Sequence, residues 1–422
     1  MKVLVLGSGG REHALVWKLS QSSRVSKVYC SPGNAGISQD AECLNVESTS
    51  PQSVAELAAS LEIDLTIVGP EQPLVAGVVD AFTRRRLRIV GPSKAAATLE
   101  GSKVFAKEFM SRHHIPTAAF TVCESPEAAY DIISSGVYSY PVVLKVDGLA
   151  AGKGVVIASD IDEAKKTISE FMVEKRFGEA GTKVVIEECL KGREASLLIF
   201  SDGKQIIAMP PAQDYKNALD GNQGPNTGGM GSFSTPGLLE RNLKEKIMHE
   251  IAEPTISGMA ADGTVFRGVL FIGLMLTENG PRVLEYNVRF GDPETQVILS
   301  RLDTDIVDIF EAIAENDLGS LKVSWSEASA VCVVLASAGY PTTIRTGDII
   351  SGIPEAEALA NVKVFHAGTK LDSAGNLITA GGRVLNVVAR QMTLDAAREQ
   401  AYRAVEKIKF EGMQYRRDIA LR

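Results

Sequence analysis

Val283-Leu284-Glu285-Tyr286-Asn287-Val288-Arg289-Phe290-Gly291-Asp292-Pro293-Glu294 lies about two-thirds of the way along a chain of 422 residues. Its first half reads as a strand, in which alternate side chains share a face. Glu285, Asn287 and Arg289 then line one face, and Leu284, Tyr286 and Val288 line the other, apolar, one. A carboxylate and an amide oxygen suit a hard divalent ion such as magnesium, which proteins usually hold together with substrate phosphates. The guanidinium next in line can clamp phosphate or carboxylate oxygens as a fork. Taken alone, the segment also fits an ordinary strand with one solvated face, so the surrounding sequence has to decide.

Outward from this strand the chain alternates. Over residues 1 to about 100, apolar strands at 3–6, 25–30, 65–68 and 87–90 are separated by helical patterns at 11–21, 51–61 and 73–86. Apolar strands alternating with helices predict a parallel sheet covered on both faces. A helix over 102–113 carries Lys103 and Lys107 one turn apart. A second α/β unit follows, with strands at 119–122, 142–146, 155–158 and 184–188 and helices near 125–135 and 161–172. The middle continues with strands at 194–200, 205–209, 269–276 and 282–288 and one long helical stretch over 237–261. The last part has strands near 330–335 and 383–388 and a helix around 393–408.

The totals narrow the function. At this length, two to four domains are the expectation. With 45% hydrophobic and 23% charged residues the composition is that of a globular protein. The net charge of −8, from 44 basic and 52 acidic residues, argues against a general nucleic-acid or membrane-surface binder. Five scattered cysteines, none in Cys-x-x-Cys, point to a reducing compartment and away from a disulfide framework or structural zinc. The N-terminus reads as a strand rather than a leader, and no apolar run reaches the roughly 18 residues of a membrane span.

Three glycine loops carry chemistry. Gly7-Ser8-Gly9-Gly10-Arg11-Glu12-His13-Ala14 follows the first strand and opens a helix, where backbone N–H groups favour an anion. Glu12 replaces the third small residue of a dinucleotide fingerprint, and the second strand ends in Ser31-Pro32-Gly33-Asn34 with no acid for a ribose diol. A phosphate-bearing substrate other than a dinucleotide is expected there, with Arg11 adding charge. Asp147-Gly148-Leu149-Ala150-Ala151-Gly152-Lys153-Gly154 lies between two strands and lacks the P-loop Ser or Thr. It reads as a mobile flap able to close over phosphates, or as a plain flexible hairpin. The run from Gly221 to Gly231 is a long glycine-rich loop of the kind that is usually functional or disordered, and neighbouring Asp214, Tyr215 and Lys216 favour the functional reading.

In this order the pieces resemble the ATP-grasp ligases: Lys103 and Lys107, Lys145, the flap 148–154, Glu187-Glu188-Cys189-Leu190, Glu194, and Glu285-x-Asn287. Seven motifs extend the likeness to the phosphoribosylamine–glycine ligase family. They are Gly9–Ala14, Pro32–Gly36, Val68–Glu71, Asp147–Gly154, Gly224–Gly231, Arg289–Glu294 and Val364–Thr369, and together they span essentially the whole chain. The implied fold is α/β. It has an N-terminal parallel-sheet, Rossmann-like preATP-grasp domain over 1–102, and an ATP-grasp domain over 103–326 with a mobile subdomain at about 119–192. A C-terminal α+β domain covers 327–422. The implied reaction is ATP-dependent ligation of glycine to 5-phosphoribosylamine through a glycyl phosphate.

The resemblance also implies the site. ATP would be met by Lys103, Lys107, Lys145, Lys153, Glu187, Cys189, Leu190 and Glu194, and Mg2+ or Mn2+ by Glu285 and Asn287. Lys145, Arg289, Asp292 and Asp214 would serve catalysis, and Gly9, Gly10, Arg11 and Asn34 the phosphoribosylamine. The family's usual Phe is Tyr286 here, and Asp214-Tyr215 stands where the family has Asp-His. The expected partners are small molecules, with no nucleic acid and no membrane, in a cytoplasmic monomer or weak homodimer. The rival readings are another ATP-grasp carboxylate–amine ligase or carboxylase, a nicotinamide oxidoreductase, and an inactive nucleotide-binding module. The missing ribose carboxylate disfavours the second, and the presence of Lys145 and Glu285 the third.

Overall fold

Val3, Leu4, Val5 and Leu6 are fully buried, as a strand covered on both faces requires. In the computed structural model, which describes residues 1–46, 50–150 and 154–421, they belong to a five-stranded parallel sheet. Its order is Glu42–Cys43, Lys27–Pro32, Lys2–Gly7, Leu65–Val68, Ile89–Val90. The helix Gly10–Leu19 starts three residues after the first strand, which places the glycine turn at the carboxyl edge of the sheet. The single helix expected over 73–86 is two helices, Glu71–Ala76 and Val78–Arg84. Gly77 between them adopts φ 94°, the left-handed cap that ends helices and that glycine adopts most easily.

Residues 120–188 form a four-stranded antiparallel sheet, ordered Phe120–Cys123, Val184–Glu188, Val142–Val146, Val155–Ala158. With helices Pro126–Ser134 and Ile161–Ile168 it encloses a core of its own around Leu144, Ile168, Phe171 and Ile186. A larger antiparallel sheet runs Ile206–Ala208, Arg193–Ser201, Gly268–Thr277, Gly280–Asn287. The helical stretch expected over 237–261 begins at Arg241 and is interrupted by a π turn at Met248–Ala252 just ahead of Pro254. Proline lacks the N–H that would continue the ladder, and a π turn absorbs that loss.

The opening strand carries one correction. Gly273 pairs with Glu285 but Leu274 pairs with Val283, so Leu284 is an extra, bulged residue. The bulge breaks strict alternation. Val283, Tyr286 and Val288 enter the core, while Leu284 faces the cavity described below. Tyr286, buried, shares a 2.7 Å hydrogen bond between its hydroxyl and that of Thr255.

The C-terminal part is a five-stranded antiparallel sheet, Gln213–Asp214, Gly231–Ser234, Ser329–Ala336, Arg383–Gln391, Val362–His366, backed by the helix Leu394–Val405. Its first two strands come from the middle of the chain. The glycine-rich run is therefore more ordered than the expected loop: Gln223–Asn226 pairs with Asn217–Leu219, and Gly231 begins a strand of the main sheet. Among the described residues, no helix is long and apolar enough to cross a membrane.

Candidate active site

Residues on or beside all four of these sheets line a cavity of about 370 Å3. Its cationic wall comes from two elements. Lys103 and Lys107 share a face of helix Lys103–Arg112, being four residues apart. Asp147 fixes the start of that helix by accepting from the Ser102 hydroxyl at 2.8 Å and the Val104 N–H at 3.1 Å, while Lys103 Nζ donates to Gly148 O at 2.8 Å. The base of the glycine flap is thereby tied to the helix that carries the lysines. Residues 151–153, including Lys153, lie outside the described residues.

Lys145 lies on the strand Val142–Val146, whose Val143 pairs with Glu187 of the neighbouring strand, so Lys145 is diagonal to Glu187. Its Nζ donates to Glu187 Oε2 at 3.0 Å and to the bulged Leu284 O at 3.0 Å. Lys107 Nζ lies 2.9 Å from the same Glu187 oxygen. Glu187 is only 1% exposed. The acid expected at an adenine hinge is instead a buried counter-ion between two lysines, because strand pairing turns it inward. Burial lowers Lys103, and pushes Lys107 down to about 8 despite the Glu187 carboxylate.

The acidic wall holds Glu285, Asn287, Asp214 and Glu294. Burial pushes the Glu285 carboxyl up, but Lys216, then Lys145 and Lys103, outweigh it and hold it below the usual range. Burial, then Glu194 and Glu285, raise Asp214 against the pull of Lys216. Burial and then Asp214 push Glu294 up to about 8. Lys216 Nζ sits 3.1 Å from Glu194 and 3.9 Å from Glu285, so Glu194, itself half-exposed and not among the lining residues, is paired to a lysine that lines the cavity. No cluster of three or more potential ligands among the described His, Cys, Asp and Glu residues could hold a metal by itself. An ionised Glu285 and the Asn287 amide, two residues apart on one strand, fit an ion that completes its shell with phosphate oxygens.

Arg289 and Arg11 form the third wall. Arg289 is held by Glu71 at 3.1 Å and Glu100 at 2.8 Å, both from the first hundred residues, and also donates to Phe290 O at 3.1 Å. Arg11 donates to the same Phe290 carbonyl at 3.0 Å and to Glu12 at 2.6 Å. Both arginine forks are thus already engaged while lining the cavity. Asp292 pairs with Arg383 at 3.1 Å and accepts from Gln296 at 2.8 Å.

Other expected residues lie apart from the cavity wall. Gly9 N–H, expected to face an anion, donates to Glu12 Oε2 at 2.6 Å. Glu12 also packs against Gly69, just past the strand Leu65–Val68, where a Cβ would stand 2.0 Å from its carboxylate oxygen. Gly10 packs under Asn386, 2.1 Å from where a Cβ would be. Asn34 is fully engaged: its amide donates to Ser8 O and His366 O, and its oxygen accepts from Gly36 and Ile37 N–H. It is the clasp of a turn, as asparagine often is. Cys189 and Leu190 are half-buried just past the strand that carries Glu187. Sequence reasoning assigned no role to Glu71, Glu100, Lys216, Glu294 or Arg383. Lys216 was within reach, two residues from Asp214 in extended chain; Glu100 and Arg383 have no local signal, because only tertiary contacts bring them here.

Comparison with known proteins places these walls in context. Three family models match in succession: Phosphoribosylglycinamide synthetase, N domain, over residues 1–100; its ATP-grasp (A) domain over 101–295; and its C domain over 330–422. A phosphoribosylamine–glycine ligase of Caldanaerobacter subterraneus is 48% identical over 420 residues, 100% of this chain and 99% of the relative. One from Neisseria meningitidis is 47% identical over 421 residues, with the same coverage. The crystal structure of phosphoribosylamine–glycine ligase from Thermotoga maritima superposes with a TM-score of 0.87 at 36% identity, covering 99% of this chain and 100% of that one. A biotin carboxylase from Campylobacter jejuni, at 15% identity and TM-score 0.73, covers 98% and 92% and shares the fold alone.

Proposed function

The chain belongs to the phosphoribosylglycinamide synthetase family, and on that premise we propose that it joins glycine to 5-phosphoribosylamine at the expense of ATP. The observation that carries this reading is one cavity walled by all three matched segments: Arg11 and Glu71, then Lys107 to Asp292, then Arg383. ATP phosphorylates the glycine carboxylate, and the amine of phosphoribosylamine displaces phosphate from the glycyl phosphate. Glycinamide ribonucleotide, ADP and phosphate result. Both nucleophiles belong to substrates, so the side chains position and neutralise rather than react.

Lys145 and Lys107, with Lys103 and Lys153, take the ATP phosphates. Adenine lies at the apolar end of the cavity among Ala106, Met110, Val155 and Leu284, with the Cys189–Leu190 backbone at its edge, and Glu194 takes the ribose hydroxyls. Glu285 and Asn287 would hold Mg2+ or Mn2+, which would supply positive charge against the ATP phosphates. Asp214, Arg289 and Asp292 orient glycine. The turn at Gly9–Arg11 and the loop clasped by Asn34 shape the phosphoribosylamine pocket. The free cysteines support a reducing, cytoplasmic setting, and a monomer or weak homodimer remains part of this reading.

The test is ADP release by the purified chain. It should require glycine and phosphoribosylamine together, the latter formed freshly from ribose 5-phosphate and ammonia, and mass spectrometry should find one amide product. ADP released equally without either substrate would refute the assignment.

Two further results are expected. Arg11→Ala should raise the apparent constant for phosphoribosylamine roughly tenfold or more while leaving that for ATP within about threefold, since a charge-assisted hydrogen bond contributes about 1.5–3 kcal/mol. Steady-state kinetics varying each substrate decides it, and a raised constant for ATP alone would mean that the two phosphate sites are interchanged. ATP binding near pH 8.5 should draw a proton onto Lys107. Its pKa of about 8 leaves it partly neutral there, and adjacent phosphates favour the charged form. Calorimetry in two buffers of different ionisation enthalpy should show net uptake that Lys107→Met abolishes. Identical uptake in the variant would exclude Lys107 as the group.

A further inference from the structure

Arg383 opens the strand Arg383–Gln391, in the segment furthest in sequence from the lysines and the metal strand, yet it lines the same cavity. Its Nη1 donates to two carbonyl oxygens, Gly228 at 2.5 Å and Asp292 at 2.9 Å. Its Nη2 donates to the Asp292 carboxylate at 3.1 Å. A Cβ on Gly228 would stand 3.0, 3.2 and 3.3 Å from Arg383 Cζ, Nη2 and Nε. Three near-equal distances put that position over the guanidinium face, tight enough that a side chain there would push the guanidinium back by a few tenths of an ångström. Tyr340, from the same C-terminal segment, accepts from Gly228 N–H at 3.1 Å. The glycine-rich loop and the turn after the metal strand are thus bolted together by a residue that belongs to neither.

We infer that Arg383 is a positioning residue for ligation, closing the Gly228 loop onto the Asp292 turn as the wall that keeps water from the glycyl phosphate. The inference rests on the ligase reading above. An acyl phosphate has two possible acceptors. With the amine, the carbon–oxygen bond to phosphate breaks as the amide forms. With water, the water oxygen adds to the acyl carbon, the same bond breaks, and glycine and phosphate are released with a proton. The net leak is ATP and water to ADP and phosphate. Excluding water is a recognised service of closed sites. A planar donor that spans two backbone carbonyls and a carboxylate provides the closure in a way a lysine ammonium cannot match.

The experiment measures ADP formed per glycinamide ribonucleotide with all three substrates present. The wild-type ratio should be near one. Arg383→Gln should raise it to about three or more and lower product turnover roughly tenfold, with the ATP constant within about threefold, because the lesion lies on the acceptor side. Arg383→Lys, which keeps the charge and reaches fewer partners, should bring the ratio partway back. A ratio of one in both variants, whatever their turnover, would reduce Arg383 to a structural link and overturn the inference, as would unchanged kinetics. Should Arg383→Gln fail to fold, Tyr340→Phe removes one bond to the same loop and no charge. Its ratio should rise to about two, and a ratio of one there also overturns the inference. If the wild type forms no product from the three substrates, it is the ligase reading that fails.

Discussion

Glu187→Ala should lower stability by about 3–5 kcal/mol, the usual cost of removing one partner from a buried ion pair. Lys107, Lys145 and Glu187 are 2%, 7% and 1% exposed, and one carboxylate serves both ammonium groups. The variant leaves two like charges facing each other in a protein interior. The pH dependence follows from the sign of the shift. Lys107, already lowered by burial and now without the carboxylate that offsets it, would then titrate in the fold still further below its unfolded value of about 10.4. Where the unfolded chain binds more protons, stability rises with pH. The deficit should therefore be largest near pH 7 and shrink towards pH 10, as Lys107 neutralises in the folded state. Because the chain folds around several separate hydrophobic cores, the measurement is hydrogen exchange of strands Val142–Val146 and Val184–Glu188, which report local opening. A deficit below about 1 kcal/mol at pH 7, or one that does not change with pH, would mean that the pair is solvated in solution.

Glu285→Gln should cut turnover about a hundredfold, or roughly 2.7 kcal/mol of transition-state stabilisation, with the fold intact. The substitution keeps the shape of the side chain and removes one negative charge from the acidic wall. Lys216 retains Asp214 and Glu194 as counter-charges, so the loss falls on the bound cation and not on the protein's own pairs. Raising Mg2+ or Mn2+ should restore part of the activity, and Asn287→Ala should behave alike but more mildly. A loss under about tenfold in both variants, about 1.4 kcal/mol, would remove these two residues from the metal site.

Much of this was legible in the chain because it is local. Apolar runs at 3–6, 65–68, 142–146 and 184–188 appear in the fold as strands within a residue or so, since consecutive apolar side chains need cover on two faces. Gly77 shows the limit of such reading: the apolar pattern of 73–86 was continuous, and only the left-handed φ reveals the break. The helix Glu294–Ser300 was invisible for a related reason. Its residues 294–299 are all buried, so no polar face marks a helical period.

The sequence by itself determined which chemistry was present: the pair Lys103 and Lys107, the strand lysine Lys145, the oxygen-bearing side chains of Glu285 and Asn287, and the glycine turns, all carried by short-range spacing. Tertiary structure decided which groups remain free to meet a substrate. It turned Glu187 inward between two lysines, spent the amide of Asn34 on a turn, filled the Gly9 turn with Glu12, bulged Leu284 out of the core, and brought Glu71, Glu100 and Arg383 to the cavity. The physical reason is that spacing fixes which way a side chain leaves its own strand or helix. Its hydrogen-bond partner, its burial and hence its charge depend on chains hundreds of residues away.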